Sequence, residues 1–457
     1  MLVHVCQRWR SIVFASQHRL DLRLFCTYGT PVKKTLDCWP PLPIVIRYSD
    51  AMSLSHPHPH TSLDDDENII AALQHRDRVC EIELTVGSSL FAKLFPLMQE
   101  SFPSLESLTL KPRDNVALAL PSAFLGASAA RLRNLCLDAI TPPACPTFLP
   151  SFKNLVCLRL LRIPGSTYIS PDALLAGLAA TTQLKILSVQ FATQTPPPAP
   201  PYSTSTAPSQ FVRHVVLPAL CYFEFRGASE LLENLVARIR STPSLARTHI
   251  SFFDQSSLEI PQISQFVSRI AAQRELSFEA KVHLRKDGVL ISFSRPEGAG
   301  KEGASGPTGS PHAAEEWLRL HVSCVQLGQQ VPLMAQICRQ ISPLLLSGVR
   351  KLEIVSSAMP LSPHDVADAL EWVGLFHTFS GVKELHVSYR SVPDVARTLR
   401  YVAQESAGAE VLLPALRDLH FDWFASKWED AVASFLTARQ LSGRSPITFH
   451  RPKIALA

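Results

Sequence analysis

One phrase recurs along this chain and limits its fold more than any other feature: L-x-x-L-x-L, with other bulky apolar residues substituting for Leu. It reads Val79/Ile82/Leu84, Leu105/Leu108/Leu110, Leu132/Leu135/Leu137, Leu155/Leu158/Leu160, Leu184/Leu187/Val189 and Leu220/Phe223/Phe225. After an irregular stretch it returns as Val349/Leu352/Ile354, Val382/Leu385/Val387 and Leu416/Leu419/Phe421. First positions are spaced by 26, 27, 23, 29 and 36 residues in the first run, and by 33 and 34 in the second. The alternating end of each phrase specifies a short strand with every second side chain in a core. Between the phrases, apolar residues at three- and four-residue steps predict helices over Pro171–Ala180, Ser229–Arg240, Ile263–Ala272 and Pro363–Phe376.

A single strand and helix cannot bury both of their apolar faces, so such units must stack on their neighbours. The expected fold class is α/β: an irregular leucine-rich-repeat-like solenoid, with short parallel strands inside and helices outside. The early spacings fit the ~20–29 residues of such repeats, and the longer ones require inserted loops or longer helices. The Asn or Cys that ends the regular repeat phrase is mostly absent, so the turns must be closed by other groups. An α/β domain with Leu-rich strands is the alternative.

Of the 457 residues, 46% are hydrophobic and 18% charged, which is enough apolar material for a large core and too much for a disordered chain. Lys and Arg number 44 against 39 Asp and Glu, a net charge of +5 without a dense basic block, so no nucleic-acid partner is expected. The ten cysteines are scattered and form no C-x-x-C pair, as expected for small buried hydrophobes in a reducing compartment. Arg8, Trp9 and Arg10 interrupt the N-terminal apolar stretch too early for a signal peptide. The longest weakly charged run, Val116–Ala130, falls short of the ~20 residues of a membrane span. The expectation is an intracellular protein, cytoplasmic or nuclear, with no membrane partner.

Residues Leu2–Phe14 place Leu2, Val5, Cys6, Trp9, Ile12 and Val13 at helical steps, predicting a short amphipathic helix that offers a Trp to a small core. The run Val5-Cys6-Gln7-Arg8-Trp9-Arg10 resembles the last helix of an F-box. The stretch His18–Tyr48, which contains Trp39-Pro40-Pro41-Leu42-Pro43-Ile44, is similar to the lead-in of F-box proteins expanded in mushroom-forming fungi, in which a leucine-rich-repeat-like region comes next. The resemblance covers about the first fifty residues closely and the rest in general cadence. It implies a Skp-type adaptor as partner, contacted by the six apolar residues of the N-terminal helix or built on them as a core. In the family an F-box begins with a Leu-Pro phrase and two further helices; the present sequence starts inside the last one.

The sequence holds no H-E-x-x-H and no G-x-S-x-G, so catalysis is not expected. His56, His58 and His60, followed by Asp64–Glu67, form a ligand-rich cluster. Alternate prolines hold it extended, and it reads as a linker whose acidic run caps the next helix, with a metal site as the alternative. Gly298-Ala299-Gly300-Lys301 fails as a phosphate loop: Arg295 stands where the first glycine belongs, and Glu302 where Ser or Thr would bind magnesium. Thr193–Gln210 is Pro-rich and reads as a surface insertion, with a polyproline II ligand as the alternative. Lys281–Ser294 predicts a hairpin turning at Asp287-Gly288, and a break between the two repeat blocks is expected there. Phe223, Phe225, Tyr389, His420, Asp422, Trp423 and Trp428 lie on or just beyond predicted strands as candidates for core or for a binding patch.

The expected organisation is an F-box part over 1–16, a lead-in and linker over 17–76, and a first repeat block over 77–273. A hairpin with a flexible insertion over 274–316 and a second block over 317–457 complete it. The expected function is a non-enzymatic F-box-type substrate receptor of an SCF-type ubiquitin ligase, without cofactor or metal, holding an unknown target protein on the repeat surface. The alternative is a non-ligase scaffold with a vestigial F-box.

Overall fold

The structure, a computed structural model, describes residues 6–15, 21–48, 63–114, 116–127, 129–143, 148–164, 171–192, 214–240, 244–253, 258–274, 277–296, 316–324, 326–341, 343–357, 368–404, 412–422 and 428–450. By internal contacts it divides into two compact units, Met1–Tyr222 with Arg238–Ser244, and Phe223–Ala237 with Leu245–Ala457. Both are mixed α/β and are built on parallel-dominated sheets with intervening helices.

In the first unit the ladder strands are β1 (Leu24–Cys26), β2 (Ile44–Tyr48), β3 (Val79–Val86), β4 (Ser107–Pro112), β5 (Asn134–Asp138), β6 (Cys157–Ile163) and β7 (Ile186–Phe191). They lie side by side in sequence order, each parallel to the next. Register obeys the phrase: Ile82 pairs with Leu108, Leu108 with Leu135, Leu135 with Leu158 and Leu158 with Leu187. Two short parallel pairs, Leu118–Ala119 with Ile140–Thr141 and Val215–Val216 with Ile239–Arg240, form separate two-stranded sheets.

The second unit contains β8 (Tyr222–Gly227, belonging to it from Phe223), β9 (Arg247–Phe252), β10 (Phe278–Arg285), β11 (Gly288–Ser294), β12 (Glu316–Ser323), β13 (Val349–Ser356), β14 (Glu384–Val387), β15 (Asp418–Phe421) and β16 (Thr448–His450). Their order is β8-β9-β12-β11-β10-β13-β14-β15-β16. β11 runs against its neighbours β10 and β12, while β9 is parallel to β12 and β10 to β13.

The phrase residues are the core. Leu105, Leu108, Leu110, Leu132, Leu135, Leu137, Leu155, Leu158, Leu160, Leu184, Leu187 and Leu220 are buried in the first unit, and Leu352, Leu385, Leu416 and Leu419 in the second. Helix residues close over them, as where Phe266 of Pro261–Ala271 meets Phe223 edge-on with centroids 5.7 Å apart. In the first unit the connecting segments are tied by a row of rings. Phe91 meets Phe95, and Phe124, Phe148 and Phe152 continue the row, with successive centroids 5.0–6.3 Å apart, a spacing suited to tilted and edge-on pairs.

The missing Asn is replaced by two devices. First, the opening residue of a phrase closes a tight turn, its N–H donating to a carbonyl three residues back. Leu105 donates to Phe102, Leu132 to Ala129, Leu155 to Phe152, Leu184 to Thr181 and Leu416 to Leu413, at 3.0–3.2 Å. Second, the next N–H reaches the preceding repeat: Glu106 to Cys80, Arg133 to Glu106, Val156 to Arg133, Lys185 to Val156 and Arg417 to Lys383, at 2.7–2.8 Å. Side chains add to this, with Ser104 Oγ donating to Asp77 O and Asn154 Nδ2 to Ala130 O. These turns thereby place their polar backbone groups without the standard residue.

Three expectations are corrected. The 17–76 linker contains core strands, because Ile44, Val45 and Ile46 are all buried and pair with β1 and β3. The helix expected over Ser229–Arg240 ends at Val236, since Ile239 is buried in the short parallel pair. The 274–316 hairpin does not interrupt the ladder. Val282, Val289, Ile291 and Phe293 are buried, and both strands are paired on both sides. Its two-residue turn is Lys286-Asp287, and Gly288 is already strand, where a Cβ would collide with the Val322 carbonyl. Helix Pro171–Ala180 has its expected bounds, Ile263–Ala272 is Pro261–Ala271, and the last is Ala369–Phe376, with 363–367 outside the described residues.

Candidate functional site

Alternate strand positions that do not enter the core carry polar side chains, and the register arranges these in rows across the sheet. In the first unit Arg47, Glu83, Thr109, Cys136, Arg159 and Ser188 stand at successive register positions on β2 to β7, with Ser188 at the end of the row buried. At one end Arg47 bridges Glu81 at 2.6 Å and Glu83 at 3.1 Å, and Arg23 approaches Glu81 at 4.0 Å. The hydrogen bond to Glu81 raises the Arg47 pKa above its ordinary value. Burial pushes the Cys136 thiol up to about 11, so it is a protonated, unreactive group on this face. A separate cleft of about 360 Å³ is lined by residues including Arg23, Arg78, Arg131, Asp21, Asp77 and Glu106, a mixed rather than a basic wall.

The second unit has one long row. His249, Arg319, Ser292, Lys281, Glu353, His386, His420 and His450 occupy matched positions on β9, β12, β11, β10 and β13 to β16. Lys281 bridges Glu353 at 2.8 Å, and Arg319 holds Glu316 through two hydrogen bonds of 2.6 and 2.7 Å. The last three rings stack: His386 on His420 at 4.1 Å and 11°, His420 on His450 at 4.0 Å and 3°. His450 Nε2 lies 2.9 Å from Asp418 Oδ1, and His386 Nε2 lies 3.7 Å from Glu384 Oε2. Burial lowers the pKa values of His386 and His420, aided by Lys351 for the first and by the neighbouring histidines for the second. Neutral imidazole is therefore their form at pH 7.

Two more histidines sit one row away, His283 on β10 and His321 on β12, flanking Leu290. Their Nε2 atoms are buried without a hydrogen-bond partner, and burial lowers both pKa values.

The residues expected at the N-terminal site are only partly described. Leu2 and Val5, and the side chain of Trp9, lie outside the described residues. On helix Gln7–Ala15, Ile12 is exposed and Val13 buried, with Cys6 exposed just ahead of it. Among the aromatic and polar candidates, Phe223 and Phe225 are core, Tyr389 and Asp422 are exposed, and His420 belongs to the stack. Trp423 lies outside the described residues, as do His56, His58, His60, Gly298–Lys301 and all of Thr193–Gln210.

From the sequence no metal is expected; the structure brings Asp418, His420 and His450 together, their ligand atoms all within 4.8 Å of one another. The signal is present as Leu385-His386-Val387, Leu419-His420-Phe421 and Phe449-His450, the same dipeptide position in three successive strands. No helix among the described residues is long and apolar enough to cross a membrane.

No protein-family model matches the chain, and no curated protein matches it. Among solved structures it is similar to the leucine-rich repeat-containing protein LegL7 from Legionella pneumophila. The identity is 11% and the TM-score 0.26, with 93% of this chain and 99% of that one covered.

Proposed function

We propose that the chain is a non-enzymatic interaction module, an irregular leucine-rich-repeat-like solenoid with strands inside and helices outside, that holds a target protein against its exposed strand rows. The observation that carries this reading is the in-register ladder: the same phrase buries its apolar residues strand after strand and leaves rows of charged and imidazole groups outside. A regular row of fixed donors and acceptors suits a macromolecular surface, where pre-organised polar groups supply specificity and a few desolvated residues supply affinity.

The finer reading is a substrate receptor of an SCF-type ubiquitin ligase in an intracellular compartment. The resemblance of Val5–Arg10 to the end of an F-box supports it, as does exposed Ile12 as an apolar contact for a Skp-type adaptor. In that role the protein makes and breaks no bonds; it raises the concentration of the target beside the ligase.

The test is a pull-down of the host's Skp-type adaptor by this chain and by a form extended through any upstream reading frame. Capture by the chain supports the receptor and localises the contact to its N-terminal helix. Capture by the extended form alone supports the receptor with a longer F-box. Capture by neither, with both folded, overturns the ligase reading and leaves a scaffold.

A further inference from the structure

We propose that Asp418, His420 and His450 form a binding site for a late first-row divalent metal ion such as Zn²⁺, at the end of the exposed strand row. The site goes beyond the interaction reading and stands or falls independently of it.

The backbone sets the geometry. His420 and His450 are register partners on β15 and β16, and Asp418 lies two residues before His420 on the same strand face. Parallel neighbours are ~4.8 Å apart, so the two imidazoles leave the sheet side by side from fixed Cα positions. All three ligand atoms already lie within 4.8 Å of one another. Around a tetrahedral zinc with bonds near 2.0–2.1 Å, ligand atoms are roughly 3.3 Å apart, so the set must close by at most about 1.5 Å. The stacked rings do not yet converge, because their nitrogen lone pairs lie in two nearly parallel planes. Rotation about χ2 brings them to one point, and that torsion is soft in histidine. Asp418 already faces His450 Nε2 at 2.9 Å. The ion takes the place of the proton between them, which moves to Nδ1 of the same ring or to solvent.

The donor set favours a transition metal: imidazole nitrogen with one carboxylate selects zinc and its neighbours over magnesium or calcium. His386 stacks on the other face of His420, with its Nε2 3.7 Å from Glu384 Oε2. Three protein ligands leave at least one position open for water or for a donor from a bound partner.

The test uses the full chain with His56, His58 and His60 replaced by Ser, because that segment has donors of its own. Zn²⁺ is titrated at pH 7.5, with heat of binding and the ring ¹⁵N shifts of the histidines as readouts. The expected result is one saturable ion per chain that moves the His420 and His450 ring signals. Asp418→Asn and His450→Phe should each weaken it about tenfold or more. His450→Phe keeps an aromatic face against His420 while removing the nitrogen, so loss of stacking is separated from loss of a ligand. His377→Gln, on an exposed residue elsewhere in the unit, should bind as the parent does. Absence of saturable binding overturns the proposal, as does undiminished affinity in both ligand variants, and ring shifts that spare His420 and His450 overturn it even if a folding defect lowers affinity.

Discussion

Arg439 offers the sharpest test of how the turns are closed. It lies on helix Glu429–Leu441, is 2% exposed, and donates from Nη1 to Leu412 O at 3.0 Å and from Nη2 to Pro414 O at 2.9 Å. A third contact, to Leu416 O, is 3.5 Å long. These carbonyls belong to the turn that feeds β15. Replacing Arg439 by Met keeps most of the volume and removes the donors. Each of the two well-bonded carbonyls then loses a partner at about 1–3 kcal/mol, roughly 2–6 kcal/mol together. Against this, the guanidinium no longer has to be held out of water, a cost of several kcal/mol for an unpaired buried ion. Burial lowers the Arg439 pKa, with Arg444 adding to the effect, so this opposing cost is real. The net expectation for Arg439→Met is a loss of about 1–3 kcal/mol. Arg439→Ala adds a cavity and should lose about 2 kcal/mol more. Urea unfolding at pH 7.5 measures both losses, and amide exchange over 412–422 locates them. If Arg439→Met is as stable as the parent, with unchanged exchange at 412–422, the carbonyl contacts contribute nothing net and the turn is closed without them.

Burial and register set three further expectations. Leu135→Ala should lose about 2–5 kcal/mol, whereas Cys136→Ser, its neighbour on the outer face, should stay within about 1 kcal/mol of the parent; equal losses in denaturant melts would contradict the assigned faces. His249, His283 and His321 all have pKa values lowered chiefly by burial, so the unfolded chain binds more protons than the folded one. Their contribution is therefore fully present above about pH 6.5 and is lost as pH falls through the lowered values. The double variant His283→Gln/His321→Gln should flatten that slope, and an unaltered pH–stability curve would show that these rings do not set it. Among the cysteines, Cys338 is pushed up to about 12 and Cys26 to about 11 by burial, while Cys6 and Cys38 are exposed. Iodoacetamide at pH 8 on the folded protein should label Cys6 and Cys38 and spare the other two, as read by peptide mass.

The strands are legible in the sequence wherever the phrase is complete, because period-two burial depends only on local order; Leu135 and Leu385 are examples. They escape notice where both faces are buried, as in Ile44-Val45-Ile46, since alternation disappears there. β9 escapes it because Thr248 stands in a core position normally held by Leu, and it is fully buried. The hairpin is legible from its turn residues, but its place between β12 and β13 is not, since pairing partners are decided by tertiary contacts. The histidine row is visible one strand at a time in the sequence. Only the register shows that His386, His420 and His450 are neighbours, at separations of 30 residues and more.

The order of strands around that hairpin has a consequence for the integrity of the chain. Strands β10 and β11 come before residues 297–315 in sequence, and β12 and β13 come after, yet the first pair lies between the second pair in the sheet. A cut anywhere in 297–315 would therefore yield two fragments interlocked like fingers, each strand of the hairpin still hydrogen-bonded to the other fragment. Their separation would require breaking three ladders at once, β9 with β12, β11 with β12 and β10 with β13, so a nicked molecule should migrate as intact until it is denatured.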